Sequence, residues 1–388
     1  MKIPGGFFLL TLAFIFVVTF MFYYAVELLS KRTLAKVLAW LVIILDVVTF
    51  SAFMPAGREL VAQYLADEQI ALLIQIFSVL LMMQIIFSVL VFLDHLYIKG
   101  KERLHIPVDE GRRRFLKKGF VFPVAALGAG VYATTYEREQ TVIREISVPT
   151  KNLPENLYGF RMAQLSDVHL GLFYSIDKLR ELLEKTTELE AQALLLTGDV
   201  FDDVNLNEEA AMVIDEYVPK FPKGIFFCFG NHEHIRGIKK IKAILQKTRI
   251  KVLNNSSILI KDGERPLYFA GVDYPMARHA FDMLALSYMD DAMRGIPENA
   301  VTVLLAHHPD FIDQGAERNV SLVLSGHTHG GQIGALGIPL APPVFKYMRG
   351  AYRVRDTFGY VHSGNGSWFP YRLGCPPEIA CFSFCEEG

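Results

Sequence analysis

Three apolar runs, Phe7 to Val26, Leu34 to Met54 and Ile70 to Leu93, each approach the roughly 20 residues a helix needs to cross the hydrocarbon core of a bilayer. They commit the first third of the chain to transmembrane helices and account for an apolar share of 52%, above that of an ordinary soluble protein. A fourth run, Gly119 to Tyr136, contains Pro123 and three glycines, which membrane helices tolerate, and is read as a further span. Residues 1–136 are therefore expected to form a transmembrane region of about four helices. Asp46, Gln75 and Gln84 fall inside these spans, where polar groups are costly. With no basic partner to make a pathway, they are read as hydrogen bonding between helices.

Basic charge alternates between the loops. Lys31, Arg32 and Lys36 follow the first run, only Arg58 the second, and Lys99, Lys101, Arg103, Arg112, Arg113, Arg114, Lys117 and Lys118 the third. The positive-inside rule places the first and third loops in the cytoplasm. Four spans then send everything after about residue 137 outside; three would keep it in the cytoplasm. The stretch Gly111 to Lys117 resembles a twin-arginine export signal, set internally rather than at the N-terminus. The expectation is a multi-pass protein of the cytoplasmic membrane, in contact with membrane lipid, with its remaining domain extracytoplasmic. A net charge of −2 gives no sign of a nucleic-acid surface.

Residues 137–150 read as a polar linker followed by a first strand, and residues 151–388 as a layered α/β domain in which helical and strand patterns take turns. Strands are expected at 161–166, 193–197, 224–229, 256–260, 267–272, 301–306 and 320–325. Helices are expected at 176–189, 208–218, 238–248 and 283–294, with an all-strand tail from Tyr352. The cysteines Cys228, Cys375, Cys381 and Cys385 show neither zinc-site spacing nor disulfide density and are read as packing residues.

The informative polar residues come directly after apolar strands: Asp167 and His169, Asp199 after Gly198, Asn231 and His232 after Gly230, His307 and His308, and His327 and His329 after Gly326. Ligand sites in α/β sheets collect outside the carboxyl ends of strands, so these five endings can converge. Carboxylate, imidazole and amide oxygen without thiolate suit a catalytic site for two divalent ions such as Mn, Fe or Zn. One carboxylate must touch both ions, and Asp199 is the natural bridge.

Taken in order, Asp167-x-His169, Gly198-Asp199, Gly230-Asn231-His232-Glu233, His307 and Gly326-His327-Thr328-His329 resemble the signature of the calcineurin-like metallophosphoesterases over residues 141 to 388. Leu165 to Gly171, Gly326 to Gln332 and Gly374 to Ile379 look like its membrane-anchored or exported branch. The resemblance implies a four-layer αββα sandwich, one metal on Asp167, His169 and His329, another on Asn231, His307 and His327, and Asp199 shared. It implies that His232 stands by the leaving group and serves catalysis together with Asp199. The Leu-Ala-His-x-Pro-Asp pattern favours His307 over His308.

The function expected is hydrolysis of phosphate mono- or diesters by a two-metal-activated hydroxide, with manganese favoured. Two alternatives stand beside it. The first is a membrane-associated diphosphatase of a nucleotide-linked lipid precursor such as UDP-diacylglucosamine, which needs a cytoplasmic domain; the second is a non-catalytic receptor or scaffold. Arg349, Arg353 and Arg372 are read first as solvated surface residues and second as grips for a phosphate.

Overall fold

The computed structural model describes residues 5–30, 32–53, 57, 60–107, 121–335, 338–339, 345–367 and 369–387. The chain divides into two compact units, Met1–Glu137 with Phe369–Tyr371, and Arg138–Trp368 with Arg372–Gly388.

The first unit is helical: α1 (Gly5–Leu29), α2 (Thr33–Phe53), α3 (Asp67–Arg103) and α4 (Val121–Val131). Among the described residues three helices, α1 to α3, are long and apolar enough to cross a membrane, and they are the three runs expected. Helix α3 continues beyond its apolar run because Asp67 and Glu68 open it and Lys101 and Arg103 close it, each complementing the helix dipole. Phe22, Ala25, Ala39, Phe87, Val91 and Ala126 fill the bundle interior, while Phe16, Trp40, Val48 and Phe92 point outward. Apolar residues inside and outside alike are the pattern of helices that face lipid.

Asp46 is buried and accepts a 2.6 Å hydrogen bond from Gln84 Nε2, and Gln75 Nε2 donates to the Thr134 carbonyl at 3.3 Å, the interhelical bonding expected of these residues. Gly130 lets α4 approach α3: a Cβ there would stand 2.9 Å from the Val79 carbonyl oxygen. After Val131 the chain widens into a π-turn, Tyr132–Tyr136. There the Thr134 and Thr135 hydroxyls donate back to the carbonyls of Gly130 and Val131. The start of this fourth run and the Gly111 to Lys117 motif lie outside the described residues.

Among the described residues the second unit contains fourteen strands: β1 (Val142–Thr150), β2 (Arg161–Leu165), β3 (Ala193–Leu196), β4 (Gly224–Phe227), β5 (Lys251–Val252), β6 (Ser256–Lys261), β7 (Leu267–Gly271), β8 (Val301–Leu305), β9 (Leu322–Ser325), β10 (Gly334–Ala335), β11 (Ile338–Pro339), β12 (Gly350–Val354), β13 (Thr357–Val361) and β14 (Glu378–Glu386). Its α-helices are α5 (Ile176–Thr187), α6 (Asn207–Glu216), α7 (Asn231–Leu245), α8 (Phe281–Met293) and α9 (Phe311–Glu317). Two six-stranded sheets form, in the orders β1-β14-β2-β3-β4-β5 and β12-β13-β9-β8-β7-β6. The centre of each is parallel, β2 to β5 in one and β7, β8, β9 and β13 in the other.

Alternation along the strands makes this a four-layer αββα sandwich. Leu194, Leu196, Ile225 and Phe227 turn to one side and pack with Leu182, Leu183, Val213, Ile214 and Ile241 of the helices. Their neighbours Ala193, Leu195 and Phe226 turn to the other side and meet Phe269, Val303, Leu305 and Leu324 of the second sheet. Leu304 and Val323 face outward again, onto Ala285, Met289, Phe311 and Ile312. A side-chain period of two, applied in both sheets, thus builds three apolar layers.

Besides the two-residue strands β5, β10 and β11, which are too short to show a pattern, the helices depart from those expected. Helix α7 begins at Asn231 rather than near Ile238, because Gly237 (φ 112°) breaks the helix and with it the apolar spacing. Helix α9 was not expected; seven residues are too few to display a helical period.

Candidate metal centre

Strands β2, β3, β4, β8 and β9 end at the same edge of the sandwich, and each delivers one of the polar pairs singled out in the sequence. Asp167 and His169 follow β2, Asp199 follows β3, Asn231 opens α7 after β4, His307 follows β8, and His327 and His329 follow β9. Five of these seven, Asp167, His169, Asp199, His327 and His329, have φ between 50° and 71°. A side chain with a Cβ rarely occupies that left-handed region, and backbone held there at several adjacent points marks a functional constraint.

Three groups of acid and imidazole ligands result, each with its donor atoms within 4.8 Å of one another: Asp167, His169 and His329; His169, Asp199 and His232; and Asp199, His307 and His327. Nε2 of His169 lies 3.1 Å from Nε2 of His329 and 3.7 Å from Asp199 Oδ2. His307 Nε2 lies 3.1 Å from that same Asp199 oxygen and 3.3 Å from His327 Nδ1. Asp199 therefore stands between the two ends of the cluster, where a shared carboxylate is needed. Asn231 has its Oδ1 buried with no hydrogen-bond partner among the described residues, an orphaned acceptor that a cation would satisfy. His308 falls outside all three groups; its Nδ1 accepts from the Asp310 backbone instead.

The electrostatics favour a cation. Burial works against a charged His307, yet the carboxylates of Asp199 and Asp167 outweigh it and raise its pKa to about 10. Burial and the neighbouring imidazoles hold His327 well below its ordinary value, and burial together with His169 and Arg372 does the same for His329. The carboxylates that favour a charged His307 favour a metal cation in the same way, and with the neutral imidazoles of His327 and His329 they make a donor set that fits divalent ions.

Residues that the sequence did not single out fix the ligands. Asp202 accepts from His169 Nδ1 at 3.1 Å through one oxygen, and from His232 Nδ1 at 2.7 Å and Arg236 Nε at 2.5 Å through the other. That leaves Nε2 of each histidine to face the site. Burial opposes ionisation of Asp202, but hydrogen bonds from His169 and His232 prevail and hold its pKa well below the carboxylate range. His307 Nδ1 is held by the Thr197 carbonyl at 2.7 Å. Glu233, fully buried, accepts from four backbone N–H groups, those of Asp199, Val200, Phe201 and Gly230, and so clamps the Asp199 loop to the start of α7. Its position three residues into that helix, in the Gly-Asn-His-Glu block, was the available signal.

Glycines let these loops close. A Cβ on Gly198 would stand 2.8 Å from His307 Nδ1, and one on Gly326 would overlap Ser166 Oγ and Asp167 Oδ2. Aromatic rings border the His307 and His327 end: Tyr274 at 5.5 Å from His327, Phe345 at 5.1 Å from His327 and Phe281 at 4.6 Å from His308. Of the arginines, Arg353 pairs with Glu387 and Arg349 donates to the Gly374 carbonyl. The surface reading fails for Arg372, which is fully buried with its guanidinium on main-chain carbonyls. Cys228, Cys375 and Cys381 are buried, as packing residues should be.

Residues 160–331 match the family model for calcineurin-like phosphoesterase. A metallophosphoesterase of Bacillus subtilis (strain 168), YkuE, is 30% identical over 285 residues, covering 70% of this chain and 96% of its own. The chain belongs to the calcineurin-like metallophosphoesterases. A transmembrane protein with metallophosphoesterase domain from Danio rerio is 31% identical over 264 residues, 64% of this chain and 58% of the fish protein. The phosphodiesterase YaeI of Escherichia coli (strain K12) is 29% identical over 233 residues, 58% of this chain and 82% of its own. This metallophosphoesterase thus spans 58% of the length of its fish relative. The family is one of hydrolases that use divalent metals, in keeping with the ligand groups described above.

Proposed function

We propose that the chain is a membrane-anchored phosphoesterase that hydrolyses phosphate diesters or monoesters. The convergence of three ligand groups on one shared carboxylate, Asp199, carries the proposal. Asp167, His169 and His329 would hold one divalent ion and Asn231, His307 and His327 the other, with Asp199 on both and manganese the favoured metal. When bound, the ions supply Lewis-acid activation of water and neutralise charge on the phosphoryl oxygens.

The remaining roles belong to the chain. Asp202 and Thr197 hold Nδ1 of His169 and His307, so each presents Nε2 inward. His232 is oriented by the same Asp202 and borders the shared carboxylate, with its backbone N–H donating to Asp199 Oδ1 at 2.8 Å. From there His232 gives a proton to, or hydrogen-bonds, the departing ester oxygen. The name of the Escherichia coli relative supports diesters as the first substrate class to try.

The anchor is the segment 1–136, joined through residues 137–150 to a catalytic domain spanning 151–388. With residues 119–136 as a fourth crossing of the cytoplasmic membrane, the basic loops lie inside and the catalytic domain outside; a reporter fused after Gly388 reads the side directly. The activity is tested on the purified full-length chain with manganese, using bis-p-nitrophenyl phosphate and p-nitrophenyl phosphate. Turnover of either that is lost in Asp199→Ala supports the proposal. A wild-type chain that binds metal and turns over neither ester rejects it, and shifts attention to a lipid-linked diphosphate or to a receptor role.

A further inference from the structure

A buried polar network lies directly behind Asp167. At its centre is Arg372, which is fully buried. Its Nη1 donates to the carbonyls of Ser363 (2.7 Å) and Cys375 (3.0 Å), and its Nη2 to those of Gly364 (3.1 Å) and Gly366. Among the described residues none of its bonds goes to a carboxylate. Burying a guanidinium without a paired counter-ion is costly, and a neutral residue would stabilise a loop more cheaply. What the guanidinium offers instead is a rigid planar fork that gathers several carbonyls at fixed angles.

The gathered segments are those that hold two candidate ligands. Asn365 N donates to the Ser166 carbonyl at 2.9 Å, and Gly366 N to the Asp167 carbonyl at 2.9 Å. The Asn365 side chain completes this splint: its Oδ1 accepts from Ser166 N at 2.9 Å and its Nδ2 donates to the Glu378 carbonyl at 2.6 Å. On the other side, Cys375 Sγ donates to the His329 carbonyl at 3.3 Å. Asp167 and His329 both sit in the left-handed region, at φ 53° and 51°, and need outside restraint to stay there. The opposite end of the site is restrained by other groups, Glu233 for the Asp199 loop and the Thr197 carbonyl for His307.

We propose that Arg372 is a positioning residue for one of the two metal subsites, that of Asp167, His169 and His329, acting through the main chain of Asn365 and Gly366 and through the thiol of Cys375. This inference rests on the two-metal reading of the site. It assigns residues 363–366 and 372–378 a role in metal retention that is confined to one ion.

The test uses the full-length chain in detergent and the variants Arg372→Gln, Arg372→Lys and Asn365→Ser. Manganese binding is followed by calorimetry and by the spin coupling of paired Mn(II) ions, and thermal unfolding of the metal-stripped protein is recorded beside it. The expected result is that Arg372→Gln weakens one manganese site by roughly 10- to 100-fold, leaves the other at wild-type affinity and abolishes spin coupling at limiting metal. Arg372→Lys recovers part of the loss. If Arg372 variants do not fold, Asn365→Ser, which removes the side-chain bonds to Ser166 N and to the Glu378 carbonyl while leaving Arg372 in place, carries the same expectation. Equal weakening of both sites, or two intact sites in Asn365→Ser and Arg372→Gln, overturns the proposal. A wild-type chain that binds no manganese overturns the two-metal reading itself, while two sites in the wild type with symmetric loss in the variants overturns only the role of Arg372.

Discussion

Replacing Glu233 with glutamine isolates the clamp on the central ligand loop. The carboxylate accepts from Asp199 N (3.0 Å) and Gly230 N (2.8 Å) on one oxygen, and from Val200 N (2.8 Å) and Phe201 N (3.0 Å) on the other. Glutamine keeps one acceptor oxygen and turns an NH2 toward the remaining pair of donors. Two bonds to a charged acceptor are therefore lost, each worth about 1.5–3 kcal/mol, for a total of about 3–6 kcal/mol. Near the melting point of a domain of this size, 1 kcal/mol corresponds to about 2–4 °C, so Glu233→Gln should lower the melting temperature by about 6–24 °C. Thermal unfolding by circular dichroism, on metal-stripped protein in detergent, measures this without interference from metal binding. A fall of less than about 2 °C would show that the four short bonds do not hold the loop, and the reasoning from bond count to stability would be wrong.

Other expectations are smaller in scope. Asp202→Ala strands the Nδ1–H groups of His169 and His232 and should lower kcat/KM by roughly 10- to 100-fold, with Asp202→Asn milder because one acceptor remains; steady-state kinetics in which both variants stay within about twofold of wild type would contradict this. His232→Ala should reduce hydrolysis of alkyl esters more than aryl esters, whose oxygen departs with less help, and equal losses across the two series would remove His232 from that role. In the helical unit, Asp46 Oδ1 and Gln84 Oε1 are buried acceptors without donors among the described residues. Asp46→Asn supplies an NH2 to Gln84 while keeping the bond from Gln84 Nε2, so it should melt no lower than wild type, whereas Asp46→Ala should melt lower.

What the sequence revealed follows from which physics is local. A strand ending in Asp-x-His or Gly-Asp is written in consecutive residues, so Asp167, His169, Asp199, Asn231, His307, His327 and His329 could be placed at strand ends before any fold was known, and the structure brings the acid and imidazole members together. The near-continuous apolar runs of β3 and β8 likewise announce strands buried on both faces. What was hidden depends on partners distant in sequence. Asp202 looks like one more acid in a polar loop until His232 and Arg236 arrive on it from α7. Arg372 looks like a surface residue because its four acceptors are carbonyls, which leave no trace in composition. The left-handed backbone at five ligands is equally silent, since none of them is glycine.

The measurement closest to the central claim is a manganese titration of the chelator-stripped, full-length chain, with bound metal and phosphodiester turnover recorded on the same samples. The account predicts that turnover rises as about two ions bind per chain and that Asp199→Ala, which removes the shared carboxylate, gives none at any manganese concentration. Turnover that survives chelation, or an Asp199→Ala chain as active as wild type, would contradict it.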